Sequence, residues 1–200
     1  MTAPTAPKFI GSAIRRKEDP RLITGKATYT DDVVLPGMAH VALVRSPEAH
    51  ARIVSIDCAE AQDMPGVVAV YTGMDLQDAL APLPCVHSIE NLEEPAHLAV
   101  ALDIVRYAGD GVAVVVAETA AAAEDAARHV HVEYEPLPVV VDVVEATTAN
   151  SDLVHEDIGT NIAFTSITDV GNVDSTFEDA SVVIKQRLVN QRQIPIAMEP

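Results

Sequence analysis

Residues 104–135 read IVRYAGDGVAVVVAETAAAAEDAARHVHVEYE, and this stretch carries more structural information than any other part of the chain. Val112–Glu118 is predicted to be a buried strand, because its first six residues, Val112–Ala117, are β-branched or small and apolar. Thr119–Arg128 is predicted to be a helix, because Thr119 can cap its start and alanine favours helix. Two further strands are predicted on either side, at Ile104–Tyr107 and His131–Glu135. Because the helix carries small side chains, we expect it to lie close against a sheet.

The glycines of Gly109-Asp110-Gly111 separate the first two of these strands. Glycine lets a backbone approach a phosphate closely, but neither a G-x-G-x-x-G pattern nor a P-loop lysine is present. A bulge or a tight turn is therefore the prediction for this segment.

Upstream of this stretch the sequence predicts three more strands and two short helices. The strands are His40–Ser46 and Ala51–Asp57, which we expect to be neighbours, and Gly66–Thr72. The helices are Cys58–Asp63 and Gly73–Leu80. Pro36-Gly37 predicts a type II turn, since Pro36 fixes φ and Gly37 can take a positive φ. Residues 81–98 are predicted to form a surface excursion.

The polar stretch Thr147–Asp152 is the expected boundary between two folding units. Beyond it the sequence predicts two longer strands, Ile162–Val170 and Val182–Arg192, around a short helical piece, Val173–Asp179. Two strands cannot cover their own apolar face, and the chain stops just after the apolar run Ile194–Met198. The expectation is the front part of a longer protein.

Composition limits the classes of function. The chain has 200 residues, of which 13 are basic and 30 acidic, so its net charge is −17. Such a charge repels nucleic acid and anionic lipid. No apolar run is long enough for a membrane span, and Arg15–Arg16 is not followed by the apolar stretch of an export signal. Two cysteines cannot supply a disulfide framework or an iron–sulfur cluster, which favours a reducing compartment, the cytoplasm.

Candidate chemical groups each have a structural interpretation that is favoured over the functional one. His129 and His131 form H-x-H, as in some metal sites, but no third ligand lies at a useful spacing and His129 suits a helix end. Cys58 starts a short helix, where a thiolate could be stabilised, yet it is expected in the core. The other histidines and two carboxylate groups show no catalytic pattern such as G-x-S-x-G; they are His40, His50, His87, His97, His155, Glu93-Glu94 and Glu133-Tyr134-Glu135.

A series of short motifs runs in order along the chain from about Gly11 to its end. They are DPRLITGKATYTDD (19–32), LPGM (35–38), RSPEAHARI (45–53), PGV (65–67), TGMDL (72–76), VRYAGD (105–110), VEYEPLP (132–138) and MEP (198–200). This order closely resembles the N-terminal part of the large, molybdenum-binding subunit of the xanthine dehydrogenase, aldehyde oxidase and aerobic carbon monoxide dehydrogenase family.

The resemblance implies an α+β fold: a tail at residues 1–18, an α/β-hammerhead domain at 19–146 and the incomplete start of a molybdopterin-binding domain at 147–200. It further implies a molybdenum hydroxylase that hydroxylates an aldehyde, a purine or N-heterocycle, or CO with oxygen from water. The cofactor would be molybdenum on molybdopterin cytosine dinucleotide. Electrons would pass to [2Fe–2S] clusters on a small subunit and FAD on a medium subunit, commonly in a dimer of heterotrimers.

The family's glycine-rich pterin segments and its catalytic glutamate correspond to sequence beyond Pro200. No residue of this chain therefore carries over as a catalytic, cofactor-binding or metal-binding residue. Tyr107, Gly109 and Asp110 are interpreted as fold determinants, although Gly111 stands where relatives often have proline. The alternative is a non-catalytic hammerhead module that docks or assembles partner subunits.

Overall fold

The computed structural model describes residues 9–85, 89–168, 170–191 and Gln193. They fall into two compact units. One contains the described residues up to Pro36 together with those from Lys185 onward, and the other is Gly37–Ile184. The predicted domain limits, 19–146 and 147–200, remain a prediction.

The described residues contain six strands and five α-helices. The strands are β1 (His40–Arg45), β2 (Ala51–Asp57), β3 (Val67–Thr72), β4 (Ile104–Val105), β5 (Gly111–Ala117) and β6 (His131–Pro136). The helices are α1 (Asp19–Ile23), α2 (Ala59–Gln62), α3 (Gly73–Leu76), α4 (Ala120–Ala127) and α5 (Val173–Glu178). Two single 3-10 turns lie at Thr30–Asp32 and Glu145–Thr147.

The larger unit is built on two small antiparallel sheets. The first sheet has the order β1-β5-β3, and the second has the order β4-β2-β6. In the first sheet, β5 is central and five of its seven residues are buried. This agrees with the prediction that the apolar run at 112–118 forms a buried strand.

Helix α4 covers one face of the first sheet. Thr119 caps it, with its Oγ1 accepting a hydrogen bond from the backbone N–H of Ala122 at 3.1 Å, as the sequence predicts. Ala123 is buried together with Ala42 and Ala117 of the sheet. Because all three side chains are methyl groups, the helix can approach the strands closely.

The main core lies where this helix, the first sheet and the second sheet meet. Its fully buried members include Ala113 and Val115 of β5, and Ile56 and Val132 of the second sheet pack against them. Val105 and Val112 belong to a neighbouring cluster with Ala51. The core is made of small and β-branched side chains, which gives the α+β fold its tight spacing.

The prediction that β1 and β2 are neighbours is wrong. β1 pairs with β5, whereas β2 pairs with β4 and β6 in the other sheet. The chain leaves the first sheet at Ser46, whose backbone N–H donates to Asp110 and whose carbonyl accepts from Gly109. These two bonds hold the linker against the β4–β5 turn, so the next strand begins in a different sheet.

Two predicted elements are shorter in the structure. The strand predicted at Ile104–Tyr107 ends at Val105, because Arg106 and Tyr107 enter the turn described below. The helix predicted at Gly73–Leu80 is a single turn, Gly73–Leu76. Its start is fixed by Asp75, whose carboxylate accepts from both the backbone N–H and the hydroxyl of Thr72.

The two long strands predicted at Ile162–Val170 and Val182–Arg192 are also wrong for the described residues, which contain no strand there. The helix between them is confirmed as α5, capped by Asn172. Ile167 and Leu188 are more than four-fifths exposed. A β-like pattern becomes a strand only when a partner supplies hydrogen bonds and burial, and no partner strand is present here. Asp169, Arg192 and the run Ile194–Met198 lie outside the described residues.

In the smaller unit, helix α1 is one element that the sequence analysis did not predict. It spans Asp19–Ile23, with a proline in its first turn, a position where proline costs no hydrogen bond. Arg16 pairs with Asp19 at 3.0 Å on the surface.

Candidate functional site

The segment between β4 and β5 forms a tight turn. Gly109 has φ +97°, and the backbone N–H of Asp110 donates to the carbonyl of Tyr107 at 3.1 Å. The pairing of β1 with β5 is irregular where Arg45 meets Gly111. The predicted turn and bulge are thus both confirmed, and this region is not built as a phosphate loop.

The carboxylate of Asp110 stabilises this turn by a hydrogen bond within it. It is buried, and it accepts a hydrogen bond from the backbone N–H of Arg106 at 3.1 Å. Gly111 follows at a position where a Cβ would lie 2.9 Å from the carbonyl oxygen of Ala99. Asp110 and Gly109 therefore act as fold determinants, while the side chains of Arg106 and Tyr107 are left to face a recess.

This recess has a volume of about 400 Å³. Its lining combines apolar side chains with a few charged and aromatic ones: Pro95, Ala96, His97, Leu98, Ala101, Leu102, Asp103, Arg106, Tyr107, Asp110, His155 and Asp157. A volume of this size suits a small ligand. Its mixture of apolar and polar lining groups makes this recess the candidate site.

Arg106 is held in place at the edge of the recess. Its Nε donates to the carbonyl of Val154 at 3.2 Å, and its Nη1 donates to the carbonyl of Ile104 at 3.3 Å. Burial, followed by the positive charge of Arg106, lowers the pKa of His155 below its ordinary 6.5. At neutral pH, His155 is therefore an uncharged imidazole beside a fixed guanidinium.

Tyr107 and His97 form the opposite side. Their rings meet edge to face with centroids 6.3 Å apart, and the Tyr107 hydroxyl lies 3.5 Å from Nε2 of His97. Burial and the nearby Asp110 carboxylate raise the pKa of Tyr107. The phenol stays protonated at neutral pH and can donate a hydrogen bond.

The lining of this recess suits the binding of a small polar group. Its lining contains no serine, threonine or cysteine that could act as a nucleophile. Arg106 and Tyr107 could hold a small polar group by hydrogen bonds.

The two histidines of the H-x-H pattern share a hydrogen-bond partner, Glu60, that the sequence did not predict. Glu60 Oε1 lies 2.8 Å from Nδ1 of His129, and its Oε2 lies 3.3 Å from Nε2 of His131. These hydrogen bonds lower the pKa of Glu60. Because Glu60 is 69 residues away along the chain, no spacing could have predicted this cluster.

The cluster ties α2 to the start of β6 at the surface. It is not arranged as a metal site: across residues 9–85, 89–168, 170–191 and 193, no group of three or more His, Cys, Asp or Glu side chains could hold a metal ion. A carboxylate that accepts one hydrogen bond from each imidazole accounts for the arrangement.

The remaining candidates have structural roles. Cys58 is half-buried against the main core, and burial raises the pKa of its thiol, so it is not an activated cysteine. His50 is buried, with Nδ1 2.6 Å from the Pro138 carbonyl. Glu133 and Glu135 are exposed and face Ser55 and Arg52 across the sheet. His87 lies outside the described residues.

No helix among the described residues is long and apolar enough to cross a membrane.

Comparison with known proteins gives a consistent result. Residues 24–138 match the family described as aldehyde oxidase and xanthine dehydrogenase, a/b hammerhead domain. The 6-hydroxypseudooxynicotine dehydrogenase complex subunit gamma of Paenarthrobacter nicotinovorans is 40% identical over 200 residues, 96% of this chain and 24% of that protein. The xanthine dehydrogenase molybdenum-binding subunit of Escherichia coli O157:H7 is 37% identical over 165 residues, 82% of this chain and 22% of that protein.

Among solved structures, quinoline 2-oxidoreductase from Pseudomonas putida 86 superimposes with a TM-score of 0.72 and 42% identity. The match covers 80% of this chain and 20% of that one. The predicted α/β-hammerhead fold is thus confirmed. The chain spans about a quarter of the length of the curated relatives it matches.

Proposed function

The chain belongs to the aldehyde oxidase and xanthine dehydrogenase family, and on that premise we propose that it is the α/β-hammerhead portion of the large subunit of a molybdenum hydroxylase. One observation supports this most strongly: the family match spans residues 24–138, which include all six strands and α4. The relatives with this portion are molybdenum-dependent oxidoreductases.

The reaction proposed for the whole protein is the oxidative hydroxylation of a small substrate. A C–H bond of the substrate is replaced by C–OH with oxygen from water, and two electrons and two protons are released. An aldehyde, a purine or another N-heterocycle would react in this way; CO would instead take oxygen from water to give CO₂. The electrons would pass to [2Fe–2S] clusters and then to FAD on partner subunits, in a cytoplasmic dimer of heterotrimers.

The described residues do not fit the cofactor themselves. No group of three His, Cys, Asp or Glu side chains in the described ranges could bind a metal ion. The two glycines at which a Cβ would clash, Gly73 and Gly111, are packed against the carbonyls of Ala101 and Ala99, so they do not form an open cradle. From the resemblance, molybdenum on molybdopterin cytosine dinucleotide would be bound mainly by residues beyond Pro200.

The role proposed for this portion is structural: domain 19–146 supports the start of a molybdopterin-binding domain, 147–200. The contacts that link the two ranges include those of Arg106 with Val154 and of Asn161 with Ala146, and Asn161 also contacts Asp152 within the second range. Asn161 accepts from the backbone N–H of Val154 and donates to both carbonyls, so it organises the loop that carries His155.

The test is the activity of the whole protein. The gene would be expressed with its neighbouring subunit genes, and the purified complex assayed with a dye acceptor against an aldehyde, a purine, quinoline and CO. Oxidation of one substrate, with ¹⁸O from labelled water in the product, is the expected result. A reading frame that ends at residue 200 would instead favour the alternative, a non-catalytic docking module.

A further inference from the structure

The two faces of the first sheet differ in how far they are buried. Directly paired residues in a sheet project to the same face. Ala42, Val115 and Val70 form one such row, and each is almost completely buried beneath α4 or in the main core. The rows before and after it must therefore face the other way, onto what we call the outer face.

Both three-residue rows of the outer face are apolar. One row is Val41–Val116–Ala69, and the next is Leu43–Val114–Tyr71. Val41 is 62% exposed and Leu43 is 42% exposed. Val68, the extra residue where the pairing of β3 shifts, is 64% exposed as well.

An antiparallel sheet with one face in water normally alternates apolar inward and polar outward residues. The first sheet does not, since both of its faces are apolar. The outer face thus has the apolar composition of a protein core, although its residues Val41 and Leu43 are exposed.

We propose that the outer face, formed by Val41, Leu43, Ala69, Tyr71, Val114 and Val116, packs against a later part of the same polypeptide in the whole subunit. This inference rests on the proposed function. The relatives have about four times the length matched here, so the same hammerhead portion occurs beside much more chain. An apolar surface of this kind is typical of permanent contacts, which resemble a domain core.

A second copy of this chain fits the face less well. Each copy carries a net charge of −17, so that association would bring two strongly negative molecules together. A transient partner is disfavoured too, because its interface would be expected to be more polar.

The test compares thiol reactivity at two matched positions. Cys58→Ala and Cys85→Ser remove the thiols of residues 1–200, Val41→Cys or Val54→Cys then adds one, and mass spectrometry of the peptide that carries it reads its labelling apart from that of other cysteines. Val54 serves as the control because it is a strand valine with 54% exposure that lies in β2 of the second sheet. Labelling rates with a maleimide are measured in the 200-residue chain and in the whole subunit.

We expect Val41→Cys to react about tenfold or more slowly in the whole subunit than in the 200-residue chain, because a buried thiol is inaccessible to reagent. Val54→Cys should react at the same rate in both. Equal rates for Val41→Cys in the two proteins would overturn the inference. So would protection that appears only when the other subunits are added, or that rises with the concentration of the 200-residue chain.

The two proposals fail in different ways. A gene that ends at residue 200 would overturn both the proposed function and this inference. A whole subunit that is active but leaves Val41→Cys as reactive as Val54→Cys would overturn this inference alone.

Discussion

The backbone N–H of Arg106 donates to the carboxylate of Asp110 across 3.1 Å, and this bond closes the turn between β4 and β5. The same turn accepts the end of β1, since Ser46 exchanges backbone hydrogen bonds with Gly109 and Asp110. One buried carboxylate therefore couples the two sheets and positions the Arg106 guanidinium beside His155.

Asp110→Ala is predicted to destabilise the fold. It removes the acceptor for a buried N–H, and a hydrogen bond to a charged group is worth about 1.5–3 kcal/mol. Chemical denaturation would measure the loss, with Asp103→Ala as the control because Asp103 lines the same recess but is exposed. Equal unfolding midpoints for Asp110→Ala and the wild type would contradict the role given to this carboxylate.

Substitutions at two glycines are predicted to lower stability for different reasons, steric overlap at Gly73 and backbone strain at Gly37. At Gly73 a Cβ would overlap the carbonyl oxygen of Ala101, whereas at Gly37, with φ +75°, the space is open. Gly73→Ala should cost about 1–3 kcal/mol by overpacking. Gly37→Val, which forces a β-branched residue into a positive φ, should cost roughly 1 kcal/mol or more. Thermal unfolding would rank them, and a neutral Gly73→Ala would show that the helix start can move away from Ala101.

The pH dependence of stability should report on His155. Burial and Arg106 lower its pKa in the folded chain, so the unfolded chain binds the proton more readily. The free energy of unfolding must therefore fall as the pH drops below the ordinary value of 6.5, until His155 is protonated in the folded chain as well. His155→Gln removes this titration, and its stability profile between pH 7 and 5 should be shallower. Parallel profiles for the variant and the wild type would show that His155 is not shielded.

Backbone amide hydrogen exchange should be slow in the hydrogen-bonded strands and rapid in the segments without strand partners. Backbone amides paired within β1 and β5 are predicted to exchange slowly, because they open only with the core. The described residues 162–168 and 182–191 have no strand partners and should exchange rapidly in the 200-residue chain. Mass spectrometry after pulse labelling would test this. Slow exchange throughout 162–168 would mean that a sheet forms there after all.

Local patterns predicted most of the elements of the larger unit. The helix at Thr119, the buried strand at Val112 and the turn at Gly109 each depend on neighbours in sequence, which the chain displays directly. The sheet to which β2 belongs could not be predicted in this way. It is decided by the hydrogen bonds of Ser46 with Gly109 and Asp110, more than sixty residues away.

The same limit applies to the candidate site. The glycines of Gly109-Asp110-Gly111 between two strands indicate a bulge or tight turn, whereas the interpretation of Tyr107, Gly109 and Asp110 as determinants of the fold comes from the family resemblance. The placement of His155 beside Arg106, and of Glu60 between His129 and His131, results from tertiary packing. The apolar alternation after Ile162 led to a wrong prediction of strands, since the pattern contains no information on whether a partner is present.

The molybdenum and pterin content of two purified proteins tests the central claim most directly. The 200-residue chain and the whole subunit, expressed in the same cells, would be analysed by elemental mass spectrometry and by fluorescence of the oxidised pterin. We expect molybdenum and pterin in nearly equal amounts, close to one per molecule, in the whole subunit and neither in the 200-residue chain, whose described residues contain no group of three or more His, Cys, Asp or Glu side chains that could hold a metal ion. Stoichiometric metal or pterin in the 200-residue chain, or neither in the whole subunit, would contradict it.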